Sequence, residues 1–243
     1  MFLITRPEPK ASNTKNLFES EDLLSCIFPA IVIKQVPNIS APHKVYDYII
    51  VTSTYTLDWL STAPKPALAC KHSVIAIGTA TQKALAGKQF PWAKKIIKPL
   101  QQNSEGVLSI PELADVSGKH ILIVKGRGGR QLLENSLLDN GAKVDVLNVY
   151  ERQPNHDKKL IRQVEERTIT CIIVTSVEIV EQLFASFCSD WLKNKKWIAT
   201  SQRIADYLHS KRISEIHVSQ SADDQIILQL AKTLSKQNPS INC

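Results

Sequence analysis

YIIVTSTYTLDWL, from Tyr48 to Leu60, has a near-double later in the chain: CIIVTSVEIVEQL, from Cys171 to Leu183. Ser53 and Ser176 of the two copies stand 123 positions apart. A second pair keeps that offset. VIAIGTATQKALAGK (Val74 to Lys88) falls on WIATSQRIADYLHSK (Trp197 to Lys211) without a gap, so Gly78 meets Ser201 and Leu85 meets Leu208. Two matches at one spacing in 243 residues imply two structurally similar halves. The period is too long for a solenoid of short repeats.

Working outward, the same kind of apolar run recurs: Tyr48–Val51, Val74–Ile77, Ile121–Val124, Cys171–Val174 and Trp197–Ala199. These runs are continuous rather than alternating, as parallel strands buried on both faces require. Each gives way to a small or polar residue and then to helical periodicity. After Val174, the residues Val180, Leu183, Phe184 and Phe187 recur at helical spacing. Thr175-Ser-Val-Glu178 reads as a capping box opening that helix. Alternating strand and helix predicts a doubly wound parallel sheet in each half.

A third unit runs from Ile121 to Tyr150. Ile121–Val124 is the strand, Gly126, Gly128 and Gly129 make a turn, and Gln131–Asn140 is a helix stopped by Gly141. Val144–Tyr150 is the next strand. The N-terminus copies this plan with FLIT, a helix over Asn13–Leu24 and a strand over Ile31–Val36. The second IIVTS half needs an ILIV-type strand of its own, and FLIT is the unused one. The expected organisation is therefore a discontinuous α/β domain of residues 1–36 plus 152–243, with residues 37–150 inserted as a second α/β domain. Linking strands are expected near 31–37 and 144–153, and two crossings permit hinge motion.

Composition narrows the classes. Apolar residues make up 43%, with only eight glycines and twelve prolines, which argues against a fibrous or disordered chain. No apolar run approaches the ~18–20 residues of a membrane span, and MFLITRPEPK does not read as a signal peptide. Cys26, Cys70, Cys171, Cys188 and Cys243 are odd in number and widely spaced, so they read as reduced thiols of a cytoplasmic protein without structural zinc. The net charge of +7 favours anionic partners. Its lysines are scattered, against a nucleic-acid binder, which concentrates them on one element.

Ser53 and Ser176 each follow a strand at its carboxyl end, where open α/β sheets hold ligands. Each is either a helix N-cap or an anchor offering a hydroxyl and helix N–H groups to a carboxylate or phosphate. GRGGR, Gly126 to Arg130, follows a strand and opens a helix. It lacks the third glycine of GxGxxG and the GK[ST] of a P-loop. Either it is a tight turn with solvated arginines, or Arg127 and Arg130 take carboxylates, which suit a guanidinium fork. No catalytic constellation is visible: HExxH and GxSxG are absent, and the six histidines are scattered. An enzyme built this way works by positioning a reactive substrate.

LITRP (Leu3–Pro7), YIIVTS, AIGTAT, VKGRGGRQLL through NGAKVDVLNVYER (Val124–Arg152), the second IIVTS, ATSQRIA (Ala199–Ala205) and HVSQSADDQIILQLAK together resemble the uroporphyrinogen-III synthase family, in family order over nearly the whole chain. The resemblance implies two similar doubly wound parallel-sheet domains joined by a two-stranded β-ladder. It implies a cofactor-free, metal-free lyase of heme and porphyrin biosynthesis, acting as a monomer. The substrate would be hydroxymethylbilane, supplied by hydroxymethylbilane synthase and closed to uroporphyrinogen III in the interdomain cleft. It places Tyr150 where a family tyrosine assists hydroxyl departure; a tyrosine hydroxyl carries its proton at neutral pH, and the bland alternative is a packing tyrosine. Thr5, Arg6, Ser53, Gly78, Thr81, Arg127, Arg130, Ser176, Ser201 and Arg203 become candidate substrate contacts. A non-enzymatic, hinged two-domain binding protein for a small polyanion shares the architecture and is the competing reading.

Overall fold

Apolar runs bounded by polar turns become strands buried on both faces in the computed structural model, which describes residues 1–40, 42–62, 68–88 and 90–237. Cys243, one of the five expected thiols, lies outside the described residues, as do the last residues of the range 152–243. In chain order the strands are β1 (Phe2–Ile4), β2 (Ser25–Ile27), β3 (Ile31–Gln35), β4 (Lys44–Val51), β5 (Leu68–Ala76) and β6 (Ile96–Ile97). β7 (His120–Gly126), β8 (Lys143–Pro154), β9 (Cys171–Val174), β10 (Lys196–Ala199) and β11 (Ile216–Val218) follow. They form one sheet in the order β11-β10-β9-β1-β2 and another in the order β3-β8-β7-β4-β5-β6. The chain divides into two compact units, residues 1–32 with 153–243, and residues 33–152. It passes from the first to the second within β3 and back within β8.

Each sheet is covered on both faces, which is why its strands read as unbroken apolar runs. In the second unit Leu122 and Val124 of β7 enter one core with Leu57, Leu60 and Leu85, while Ile121 and Ile123 enter another with Val107, Leu133 and Leu137. In the first unit Leu3, Ile172 and Val174 pack with Val180, Leu183 and Leu208. Phe2, Ile4 and Ile173 take the other side, with Phe18, Ile227 and Leu228. Burying a side chain of this size contributes about 1.5–3 kcal/mol.

The duplication survives in strand register. Tyr48 lies opposite Ser73 in β5 and Ile121 in β7. Cys171, 123 positions after Tyr48, lies opposite Lys196 and Phe2. Lys196 is again 123 positions after Ser73. On the other side, Phe2 faces Ser25 and Ile121 faces Val144, and both members of the pair differ by 119. The outer strands pair Val74 with Ile96 and Trp197 with Ile216. From β2 to β11 and from β8 to β6, the two units repeat one five-stranded order.

Three local readings are corrected. The strand that follows β1 in its sheet is the three-residue β2, too short to read by pattern and missing from the expected plan; Ile31–Gln35, expected as a linking strand, pairs with β8 in the second sheet. The helix Val177–Ser186 is capped by the Ser176 hydroxyl accepting from the Ile179 N–H at 3.2 Å, so Thr175 does not begin a capping box. The first helix spans Lys10–Glu19 rather than starting at Asn13. Gly141 does stop its helix, at φ +81°, with its N–H on Leu138 O.

Asp47 is the buried charge among the described residues of the second unit. It is 6% exposed and accepts from the His120 N–H at 2.8 Å and from Lys71 Nζ at 3.2 Å, with His72 Nε2 3.8 Å away. Burial opposes its charge, but the N–H bond and the Lys71 and Lys119 ammoniums prevail and hold the carboxyl below its ordinary value. A value lowered by folding contributes stability above the unfolded value and loses it as pH falls through the folded one. Asp47→Asn should therefore flatten the fall in urea midpoint between about pH 5 and pH 2. An unchanged acid slope would assign that loss to other carboxyls.

Candidate functional site

In the second unit the chain runs from β4 outward to β5 and β6, then returns to place β7 and β8 on the other side of β4. The crossovers therefore diverge between β4 and β7. Such a switch point leaves a crevice at the carboxyl ends of the strands, where ligands bind in open α/β sheets. A cavity of about 270 Å³ lies there, lined among others by Thr52 and Ser53 after β4, Lys125 and Gly126 at the end of β7, and Tyr150 and Arg152 of β8. The glycine turn, Ser104 at the start of its helix and Leu133 in the first turn of the helix Leu132–Asp139 also line it.

Several expected residues meet at this crevice. Ser53 is an N-cap, accepting from the Tyr55 N–H at 3.3 Å. Tyr150 is 3% exposed, and its ring meets the Tyr55 ring edge-on at 5.6 Å between centroids. Its hydroxyl makes no hydrogen bond among the described residues, whereas its carbonyl accepts from the Arg127 N–H at 2.7 Å. Gly128 and Gly129 have φ of +81° and +82°, so the turn itself requires glycine. Arg130 lines the cavity and pairs with Glu105 at 2.7 Å; Arg127 pairs with Glu151 at 3.0 Å. Lys125 and Arg152 also line the cavity and have no carboxylate partner among the described residues. The Arg152 guanidinium carbon lies 5.9 Å from the Tyr150 ring centre. The wall carries three cations, Lys125, Arg130 and Arg152, against one carboxylate, Glu134, so the crevice is cationic on balance; it has one phenol and no cluster of metal-ligating side chains among the described residues.

Others stand apart. Gly78 is buried, and a Cβ there would lie 2.6 Å from Gln102 Oε1. That oxygen accepts from the Thr79 N–H at 2.8 Å, so Gly78 makes room for a cap on the helix Thr79–Lys88. Thr81 is buried in that helix and is not part of the cavity wall. In the first unit, Ser176 caps its helix. Ser201 precedes the helix Gln202–Ser210 without capping it through its side chain, and Arg203 is exposed in that helix's first turn.

Thr5 and Arg6 occupy the matching switch point of the first unit, between β1 and β9, and they close it. Thr5 is fully buried, and its hydroxyl donates to Ile173 O. Arg6, 7% exposed, pairs through Nη1 with Asp224, lies 3.3 Å from Thr14 Oγ1, and reaches Ala222 O through Nη2 at 3.4 Å. By the register offsets, Arg6 stands where Lys125 stands in the second unit, and Thr14 stands at Leu133. Asp224, which opens its helix as Ser104 does, lies 120 positions on, the same spacing that separates Ile96, the partner of Val74, from Ile216, the partner of Trp197. Three positions that wall a cavity in one unit bond to each other in its counterpart.

Sequence reasoning passes over Lys125, Arg152, Thr52 and Ser104. Lys125 and Arg152 lie inside the quoted Val124–Arg152 block and could have been found by counting from the strand ends. Ser104 carries no signal of its own, because its helix Ser104–Leu108 is only five residues long.

A family model described as Uroporphyrinogen-III synthase HemD matches residues 12–229. The curated uroporphyrinogen-III synthase of Escherichia coli (strain K12) is 30% identical over 161 residues, covering 63% of this chain and 64% of that protein. That of Salmonella typhimurium is 30% identical over 132 residues, 52% of this chain and 54% of its own. The chain thus spans less than two thirds of the length of these relatives. Among solved structures, a mutant uroporphyrinogen III synthase from Thermus thermophilus superposes with a TM-score of 0.58 at 19% identity, over 97% of this chain and 99% of that one. The uroporphyrinogen-III synthetase from Helicobacter pylori gives 0.62 at 17% identity, over 86% and 93%. At these identities the likeness is one of fold.

The closed switch point makes its own prediction. Asp224→Ala leaves a buried guanidinium without its carboxylate and should cost about 3 kcal/mol, the low end for a broken buried pair because Asp224 is partly exposed. Ser104→Ala, at the matching position, should cost less than about 0.5 kcal/mol. Equal losses in urea unfolding would mean that the Arg6 pair does not hold the first unit together.

Proposed function

The chain belongs to the uroporphyrinogen-III synthase family, and from that footing we propose that it closes hydroxymethylbilane to uroporphyrinogen III with inversion of ring D and loss of water. The observation that carries this reading is the Tyr150 side chain, buried in the wall of a cationic crevice and left with a hydroxyl that no described residue engages. The substrate is a linear tetrapyrrole with eight carboxylates. Lys125, Arg130 and Arg152 supply positive charge for such groups, the arginines in bidentate geometry. Ser53, with the N–H groups that follow it, supplies neutral donors.

The chemistry asks little of acid–base groups. The Tyr150 phenol donates a hydrogen bond to the departing hydroxyl; the hydroxyl and the pyrrole N–H proton of ring A leave together as water, which gives a neutral azafulvene and leaves the phenol protonated. The freed methylene on ring A bonds to the substituted carbon of ring D, and the spiro intermediate fragments and recloses with ring D turned. In free solution the bilane closes to the type I isomer, so the protein's work is to hold the chain bent for the spiro closure. Holding the reacting carbons in contact is where most of the rate comes from. In the first unit, Ser176 and Ser201 just after strand ends, and Arg203 in the first turn of its helix, are further candidate carboxylate contacts. Thr5 and Arg6, tied to Ile173 and Asp224, serve better as supports. No helix among the described residues is long and apolar enough to cross a membrane, which accords with a small soluble substrate.

Hydroxymethylbilane generated in situ, with the purified protein added and the oxidised porphyrins separated, tests the reading. The type III isomer should dominate at catalytic protein levels, and the type I isomer alone would leave a polyanion-binding protein. Tyr150→Phe should lower kcat by roughly 10- to 100-fold with KM little changed, as for a group that acts in the transition state. Equal kcat/KM for variant and wild type would remove the phenol from the mechanism.

A further inference from the structure

We propose that Gly126 and a one-residue bulge at Val149 form a positioning device for the Tyr150 phenol, so that Gly126 is a residue of the reaction although it contributes no side chain. The proposal rests on the reading of Tyr150 given above. Along the β7–β8 pair the register runs Lys125 to Asn148 and then Gly126 to Tyr150, skipping Val149. Successive strand residues normally point to opposite faces. Here Val149 and Tyr150 are both buried in the same core, at 0% and 3% exposure. The bulge thus turns Tyr150 from the face that simple alternation would give it, the kind of re-aiming for which bulges beside active sites are known.

The turned ring lands on Gly126. A Cβ at that position would lie 2.5 Å from Tyr150 Cζ, 2.6 Å from Cε2 and 2.9 Å from the hydroxyl oxygen. No ordinary side-chain carbon tolerates such contacts, so the ring occupies the space that any other residue would fill. The backbone gives no other reason for glycine here. Gly128 and Gly129 have positive φ, and Gly126 does not. Tyr55 meets the ring from another side, and the Arg127 N–H holds the Tyr150 carbonyl. With the ring pinned over a bare Cα, the hydroxyl is held at one place in the cavity wall. The first unit has no such device: Pro7 stands 119 positions before Gly126, and the β1–β2 pairing runs without a break.

The test is a mutant cycle in the isomer assay. Gly126→Ala should lower kcat about tenfold or more with KM within about twofold, since misplacing a reacting group by an ångström costs this much. In the Tyr150→Phe background, which keeps the ring and loses the hydroxyl, Gly126→Ala should lower kcat by less than about twofold further. If Tyr150→Phe is slow and Gly126→Ala turns over like the wild type, the positioning role is overturned while the reading of Tyr150 stands. If Tyr150→Phe turns over like the wild type, that reading falls and the proposal with it. Thermal unfolding keeps the proposal open to refutation should Gly126→Ala fold poorly. Its loss in Tm should disappear in the Tyr150→Ala background, where the ring is gone; an equal loss in both backgrounds overturns the proposal.

Discussion

Everything in this protein hangs on the gap that a parallel sheet must leave when its crossovers change direction. In the second unit, β4 sends the chain one way to β5 and receives β7 on its other side. The helices that follow pack on opposite faces, and the strand ends between them remain uncovered. Backbone N–H groups and short polar side chains collect there because the apolar runs of the strands, such as Ile49–Val51 and Ile121–Val124, end at the crevice. The crevice is thus a consequence of topology before it is a site. Lys125, Arg130 and Arg152 then give it a charge, and Tyr150 gives it a phenol hydroxyl.

The first unit shows what the same gap becomes when its lining residues differ. Arg6 takes the place of Lys125 and Asp224 the place of Ser104, and the two pair with each other beside Thr14. The pair fastens the helix Asp224–Gln237 to the end of β1. One Arg Nε is left buried without a partner, as befits a guanidinium placed for its Nη1 contacts. Buried pairs of this kind gain little over an apolar replacement, yet breaking one is costly. Duplication has therefore left one switch point open and cationic and the other filled from within.

Much of this was legible in the residues. Continuous runs such as IIV and ILIV could only be strands buried on both faces, and the 123-residue offset of Ser53 and Ser176 announced two like units. The same offset reappears in the pairing of Tyr48 with Ser73 and of Cys171 with Lys196. What was not legible was short or depended on distant partners. SCI at Ser25–Ile27 offers three residues and no period, so no strand was read there. Arg6 read as a candidate anion contact because nothing in LITRP reveals Asp224, 218 positions away. Gly126 read as one glycine of a turn, since the ring that occupies its missing side chain lies on another strand.

We propose that the open crevice of the second unit, and not the Arg6–Asp224 pair of the first, takes the carboxylates of a tetrapyrrole. Amide hydrogen exchange with uroporphyrin III as the probe tests it most directly. Added porphyrin should slow exchange in the segments around Thr52–Ser53, Lys125–Arg130 and Tyr150, and leave the segment around Thr5–Arg6 as it was. Protection at Thr5–Arg6 and at Asp223–Asp224, with none around Lys125 and Tyr150, would contradict the account.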